Sequence, residues 1–126
     1  MKGPMKDSKG RPTRKALALK ALGQPKRAIE HFDVMFGRNP NALIAYELAD
    51  LNTQTSNLVE AKAHIEYGIA NAKDDQKRSF YEMQTPYQVS LKAAFYYLKA
   101  LVTFNEDQAN NLDRVNKILQ TSHGYQ

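Results

Sequence analysis

Ala28-Ile29-Glu30-His31-Phe32-Asp33-Val34-Met35-Phe36 and, 33 residues further on, Ala61-Lys62-Ala63-His64-Ile65-Glu66-Tyr67-Gly68-Ile69 decide how this chain folds. In both stretches the apolar or small positions recur at i, i+4, i+7 and i+8, which is one face of an α-helix. A shift of 33 lays Ala28 on Ala61, Phe32 on Ile65, Met35 on Gly68 and Phe36 on Ile69. A shift of 31 lays Leu17-Ala18 on Leu48-Ala49, which predicts a loop two residues longer in the second unit. Two short amphipathic helices cannot close a core alone, so a repeated helical pair predicts stacking of one pair on the next.

Working outward, Thr13 caps a helix over about 14–22 that stops at Gly23. Pro25 opens a second, over about 25–36, that Gly37 stops. Asn39-Pro40 restarts the chain into a third helix carrying Leu43, Tyr46, Leu48 and Ala49 to about residue 52. After the polar run from Asn52 to Ser56, Asn57 and Glu60 form a capping box for a fourth, over about 57–72. Asp74-Asp75 suit the positive end of a fifth helix, about 74–84. Thr85-Pro86 begins a sixth to about 104. Asn105-Glu106-Asp107 reads as a weak break before a seventh, with Leu112, Val115, Ile118 and Leu119, to about 121. No stretch of clean two-residue alternation bounded by turn signals is found. The expectation is an all-α fold, a short repeat of helical hairpins with six to seven helices and no sheet. Residues 1–12 are expected as a basic extended arm, 13–121 as the helical domain and 122–126 as a tail.

These units resemble the tetratricopeptide repeat family. In that family a small residue, a bulky one four later and a small one three beyond it mark the second helix, and a proline follows five further on. Ala28, Phe32, Met35 and Pro40 have that spacing, with Met35 where the family prefers alanine. Ala61, Ile65 and Gly68 repeat it, with Leu48-Ala49 as the preceding first-helix pair and Lys73 where a second proline would stand. The resemblance covers about residues 14–73 and implies a tetratricopeptide-like α-solenoid that binds protein. Its partner would lie on the concave face lined by the first helix of each pair. Candidate contacts there are Lys15, Lys20, Asn41, Tyr46, Asp50 and Asn52. Two to three repeats are few for a free-standing solenoid, so further helices are expected from a partner or a second copy.

The charge is unevenly spread. Eighteen basic against thirteen acidic residues give +5 over 126 residues. Residues 1–27 hold nine basic side chains and one acid, so they carry +8 and the rest −3. Lys2, Lys6, Lys9, Arg11, Arg14 and Lys15 are interleaved with Gly3, Pro4, Gly10 and Pro12, and only Met1 and Met5 are apolar before residue 13. Such a stretch buries too little to offset its ordering entropy. It is expected to be disordered alone and to order only against an anionic surface, an acidic protein or phosphate.

Little points to catalysis. The absence of cysteine excludes a disulfide framework, a thiolate metal site and a cysteine nucleophile. The six glycines are scattered and form no phosphate loop, and no His-Glu-x-x-His pair is present. His31 and His64 occupy equivalent repeat positions, where two imidazoles and a carboxylate would suffice for a metal. The plainer reading, exposed side chains beside the apolar stripe, is preferred. Neither enzyme activity nor a cofactor is expected. No apolar run is long enough to span a bilayer, and Lys20 cuts the Ala16-Leu17-Ala18-Leu19 run that a signal peptide would need intact. A cytoplasmic location is expected.

Seven of the twelve aromatic residues lie between Phe80 and Phe104. Phe95, Tyr96 and Tyr97 point about 100° apart on a helix, so at least one must reach a groove, another subunit or solvent. These rings are expected first to seal the end of the solenoid and second to bind a partner. From the repeat of helical pairs, the leading expectation is a non-enzymatic protein-interaction module, an adaptor, scaffold or small component of a larger assembly. The alternative is a nucleic-acid-associated assembly component whose arm contacts phosphates.

Overall fold

A computed structural model of the chain describes residues 12–82 and 85–124. Among these residues run α1 (Arg14–Ala21), α2 (Pro25–Arg38), α3 (Ala42–Gln54), α4 (Leu58–Asn71), β1 (Lys77–Glu82), β2 (Thr85–Ser90) and α5 (Leu91–Gly124). Side-chain caps start the first helix of each pair. The Thr13 hydroxyl accepts the Ala16 N–H at 3.2 Å, and Asn41 Oδ1 accepts the Ile44 N–H at 3.0 Å. Both helices end in the same turn. Gly23 (φ 75°) and Ser56 (φ 63°) adopt left-handed backbone. The following N–H groups, of Gln24 and Asn57, donate back to the carbonyls of Leu19 and Asn52 at 3.0 and 2.8 Å.

The two loops are thus equal in length, and the end of α1 and both ends of α2 recur 33 residues later in α3 and α4, while α3 starts earlier in its unit than α1 does. This corrects the expected longer second loop. Helix α3 runs on to Gln54, so the counterpart of buried Ala49 is buried Ala16, while Leu17 and Ala18 face solvent.

The all-α, sheet-free expectation with six to seven helices is also overturned: five helices and a two-stranded antiparallel sheet are found among the described residues. Where a fifth helix was expected the chain forms β1, and β2 takes the opening residues of the expected sixth. Phe80 lies opposite Tyr87 and Arg78 opposite Val89. Phe80, Tyr81, Thr85, Tyr87 and Val89 favour a pleated strand, and Pro86 is barred from a helix interior but tolerated on an edge strand. Arg78 and Phe80, two residues apart, share the face laid onto α3. Nor do the sixth and seventh helices separate. Asn105-Glu106-Asp107 contains neither Gly nor Pro, and α5 runs unbroken for 34 residues.

Helix α3 is the central element. Ile44, Leu48 and Leu51 face α1 and α2, packing on Ala16, Leu19, Ala28 and Phe32. Ala42, Ala45, Tyr46 and Ala49 face α4 and α5, where Ala61, Ile65, Leu91, Phe95, Leu98 and Val102 complete a second cluster. A helix apolar on nearly all sides belongs in the interior. Gly68 lets α5 approach α4: a Cβ there would penetrate the Phe95 ring. No helix of the described residues is long and apolar enough to cross a membrane.

Candidate partner-binding face

The hairpin of β1 and β2 docks on the first-helix side of the stack. The anchor is Glu47 of α3, only 3% exposed in the middle of an apolar helix. A lone buried carboxylate is costly, so the fold surrounds it with cations. Lys20 of α1 donates to Glu47 Oε1 at 2.7 Å and pairs with Asp50 Oδ2 at 2.6 Å. Arg78 of β1 grips the same carboxylate with two donors, Nε to Oε2 at 2.8 Å and Nη2 to Oε1 at 3.1 Å. Burial disfavours the Arg78 cation, but the bonds to Glu47 outweigh that and hold its pKa above the ordinary arginine value.

The guanidinium also lies over two rings, 4.8 Å from the centre of Tyr46 and 4.6 Å from that of Phe80. Tyr46 meets Phe80 and Phe95 edge-on, at 6.1 and 5.5 Å between centroids, and Phe80 stacks on Tyr87 at 5.9 Å. Burial, and after it the Asp50 charge, pushes the Tyr46 hydroxyl above the usual phenol range, so it stays protonated. Beside these rings opens a cavity of about 420 Å³ between the hairpin and α5, lined by Tyr46, Phe80, Tyr87, Val89, Ala93 and Tyr97. Its rim is wet: Tyr97 is 69% exposed. Such a site offers apolar area, polar hydroxyl tips and one neighbouring cation already neutralised.

Of the residues expected on the concave face, the structure brings together Lys20, Tyr46 and Asp50. Asn41 is spent on capping α3, its Nδ2 donating to the Asn39 carbonyl. Asn52 is buried and donates to the Leu48 carbonyl at 2.8 Å. Lys15 lies apart, beside an open hollow with Thr13, Glu30, His31 and Arg38. Arg14 and Lys15 are exposed in the first turn of α1. The other arm cations, Lys2, Lys6, Lys9 and Arg11, lie outside the described residues. Of the consecutive aromatics, Phe95 is fully buried while Tyr96 and Tyr97 reach solvent.

His64 is half-buried with its ring edge-on to Phe36 at 5.2 Å. Among the described residues no group of three or more His, Asp or Glu is placed to hold a metal ion. Sequence reading missed Glu47, Arg78, Phe80, Tyr87 and Tyr97 as a unit. The available signal was a single charge, Glu47, inside the apolar run from Leu43 to Ala49. No protein-family model, no curated protein and no solved structure matches the chain.

Proposed function

We propose that the chain is a non-enzymatic protein-interaction module, an adaptor or assembly component working in the cytoplasm. Helices α1 to α4 act as two tetratricopeptide-like hairpins, and β1–β2 with α5 form the recognition wall. The partner is a peptide or helix that inserts an apolar or aromatic side chain between Tyr87 and Tyr97. The observation that carries this reading is the aromatic cavity beside the Glu47–Arg78 anchor, against the first helix of the second pair. Exposed tyrosines around a pocket with a rigid floor are the usual composition of a binding hot spot. The reading that the arm binds phosphate gains no such support, because four of its six cations lie outside the described residues.

The test is a pair of affinity captures with the intact chain. Tyr87→Ala/Tyr97→Ala should remove the proteins that wild type retains, a loss of roughly 2 kcal/mol or more in binding. Stability should fall by no more than about 1–2 kcal/mol, since Tyr97 is exposed and Tyr87 loses chiefly its stacking on Phe80. Retention of the same proteins by the double variant counts against the cavity. Their loss on deleting residues 1–12 alone transfers the binding to the arm.

A further inference from the structure

A second hollow lies apart from the tyrosine cavity, between the start of α1 and the later turns of α2. It encloses about 610 Å³ and is open to solvent. The Thr13 hydroxyl donates to Met35 Sδ at 3.9 Å and joins the two helices there. Val34, 54% exposed, adds an apolar side chain that the core does not use. Along α2, Arg27, His31, Val34 and Arg38 follow one another at steps of 4, 3 and 4 residues and so share one face. That face turns away from Phe32 and Phe36, which pack inward.

The cations around this hollow are unneutralised. Lys20, Lys62, Arg78, Lys92 and Lys99 each meet a carboxylate at 3.2 Å or less. None of Lys15, Arg27 and Arg38 does so among the described residues, and Arg27 donates instead to the neutral Gln24 Oε1 at 2.8 Å. Of the two carboxylates on α2, Asp33 is set toward α4, where its charge acts on His64. Glu30 alone stands at the hollow. The residues that lead into Thr13 add Lys2, Lys6, Lys9 and Arg11 against Asp7. The first helical pair thus presents an apolar hollow in a basic field, which favours an anionic occupant.

The lining says which kind. Among the described residues no Phe or Tyr lines the hollow, so nucleic-acid bases would find no such ring to stack on. Val34 and Met35 instead suit an aliphatic side chain. Glu30 repels a run of phosphates but accepts a peptide N–H. Arginines on one helix face offer forked donors to carboxylates. We propose that this hollow takes an acidic peptide segment of a partner protein. One aliphatic side chain of that segment rests on Val34 and Met35, and its carboxylates meet Lys15, Arg27 and Arg38.

Fluorescence anisotropy with the full chain tests it, using a labelled peptide that sets one leucine among aspartates and glutamates. Wild type should bind that peptide about tenfold more tightly than the same peptide with serine for leucine. Arg38→Glu and Val34→Asp should each weaken binding by about tenfold or more. Both positions are exposed, so their urea midpoints should stay near that of wild type. Arg114→Glu makes the same change of net charge on the exposed end of α5 and should leave the affinity nearly unchanged. No binding by wild type, equal binding of the serine peptide, or Arg38→Glu and Val34→Asp without effect each overturn the proposal. So does an equal loss in Arg114→Glu, or tighter binding of a single-stranded DNA of the same charge.

Discussion

The two halves of this molecule are specified in different ways. Helices α1 to α4 repeat their own instructions: a polar cap at Thr13 and Asn41, a left-handed turn at Gly23 and Ser56, and a buried alanine at Ala28 and Ala61. Each signal acts within one turn of chain. The hairpin and α5 carry almost none. Arg78 and Phe80 are held by Glu47 and Tyr46, about thirty residues back, and Phe95 by the bare backbone of Gly68. The second half is a complement to the surface of the first, and its shape depends on pairs of residues far apart in the chain.

The largest effects should come from the two phenylalanines that centre the two clusters. Phe32→Ala and Phe95→Ala each empty a fully buried site and should cost about 3–5 kcal/mol in urea unfolding. The comparison sharpens in the remnant. If the first half is self-specifying, Phe95→Ala should leave the far-ultraviolet helical signal of α1 to α4 largely intact, whereas Phe32→Ala should lose it together with the rest. Equal collapse in both variants would show that the repeats also depend on α5.

Next in size is the junction. Glu47→Gln leaves Lys20 and Arg78 facing a neutral amide in a mostly buried place and should cost about 2–4 kcal/mol. Removing the strand's charge as well, in Glu47→Gln/Arg78→Met, should recover part of that loss, because no uncompensated guanidinium then remains. A double variant no more stable than the single one would mean that the ring contacts of Arg78, not its charge, fix the hairpin.

The difference between the halves also decides what could be read in advance. Pro25, Gly23 and the Ala28/Ala61 register mark helices because their physics is local, and the 33-residue recurrence follows from them. The hairpin was missed because Pro86 opens a helix as readily as it ends a strand ladder. What selects the strand is the acceptor at Glu47, which no window around residue 80 contains. The break expected at Asn105-Glu106-Asp107 rested on polarity alone, and polar residues on a solvated helix break nothing. The cavity was half legible: Tyr46 stood among the expected contacts, and Tyr87 and Tyr97 belonged to the noted aromatic cluster. Only the strand register joins them.

A smaller effect tests how equivalent the two repeat turns are. Gly23 and Ser56 occupy the same left-handed position, but only glycine does so without strain. Ser56→Gly should therefore raise stability by about 0.5–1 kcal/mol, and Gly23→Ala, with open space around its Cβ, should lower it by about 1 kcal/mol through backbone strain alone. Opposite shifts in the denaturant midpoint would establish the turns as one device used twice. A loss in both would show that the Ser56 turn has its own requirement for a side chain.

The smallest effect lies at the contact between α2 and α4. Burial against Phe36 lowers the pKa of His64 below 6.5, while the carboxylates of Asp33 and Glu60 pull it partly back. An imidazole with a lower pKa in the fold binds its proton more readily in the unfolded chain. The unfolded state therefore holds more protons as pH falls below about 6.5, and stability drops with pH through that window. Asp33 works in the opposite sense, since burial raises its carboxyl above 3.8 and its ionisation costs stability, but its titration begins from the acid side. Urea midpoints at pH 7.5 and 5.5 keep the two apart. Wild type should lose stability between them, and His64→Gln, which cannot be protonated, should lose less. An equal loss in the variant would show that this contact does not set the pH dependence.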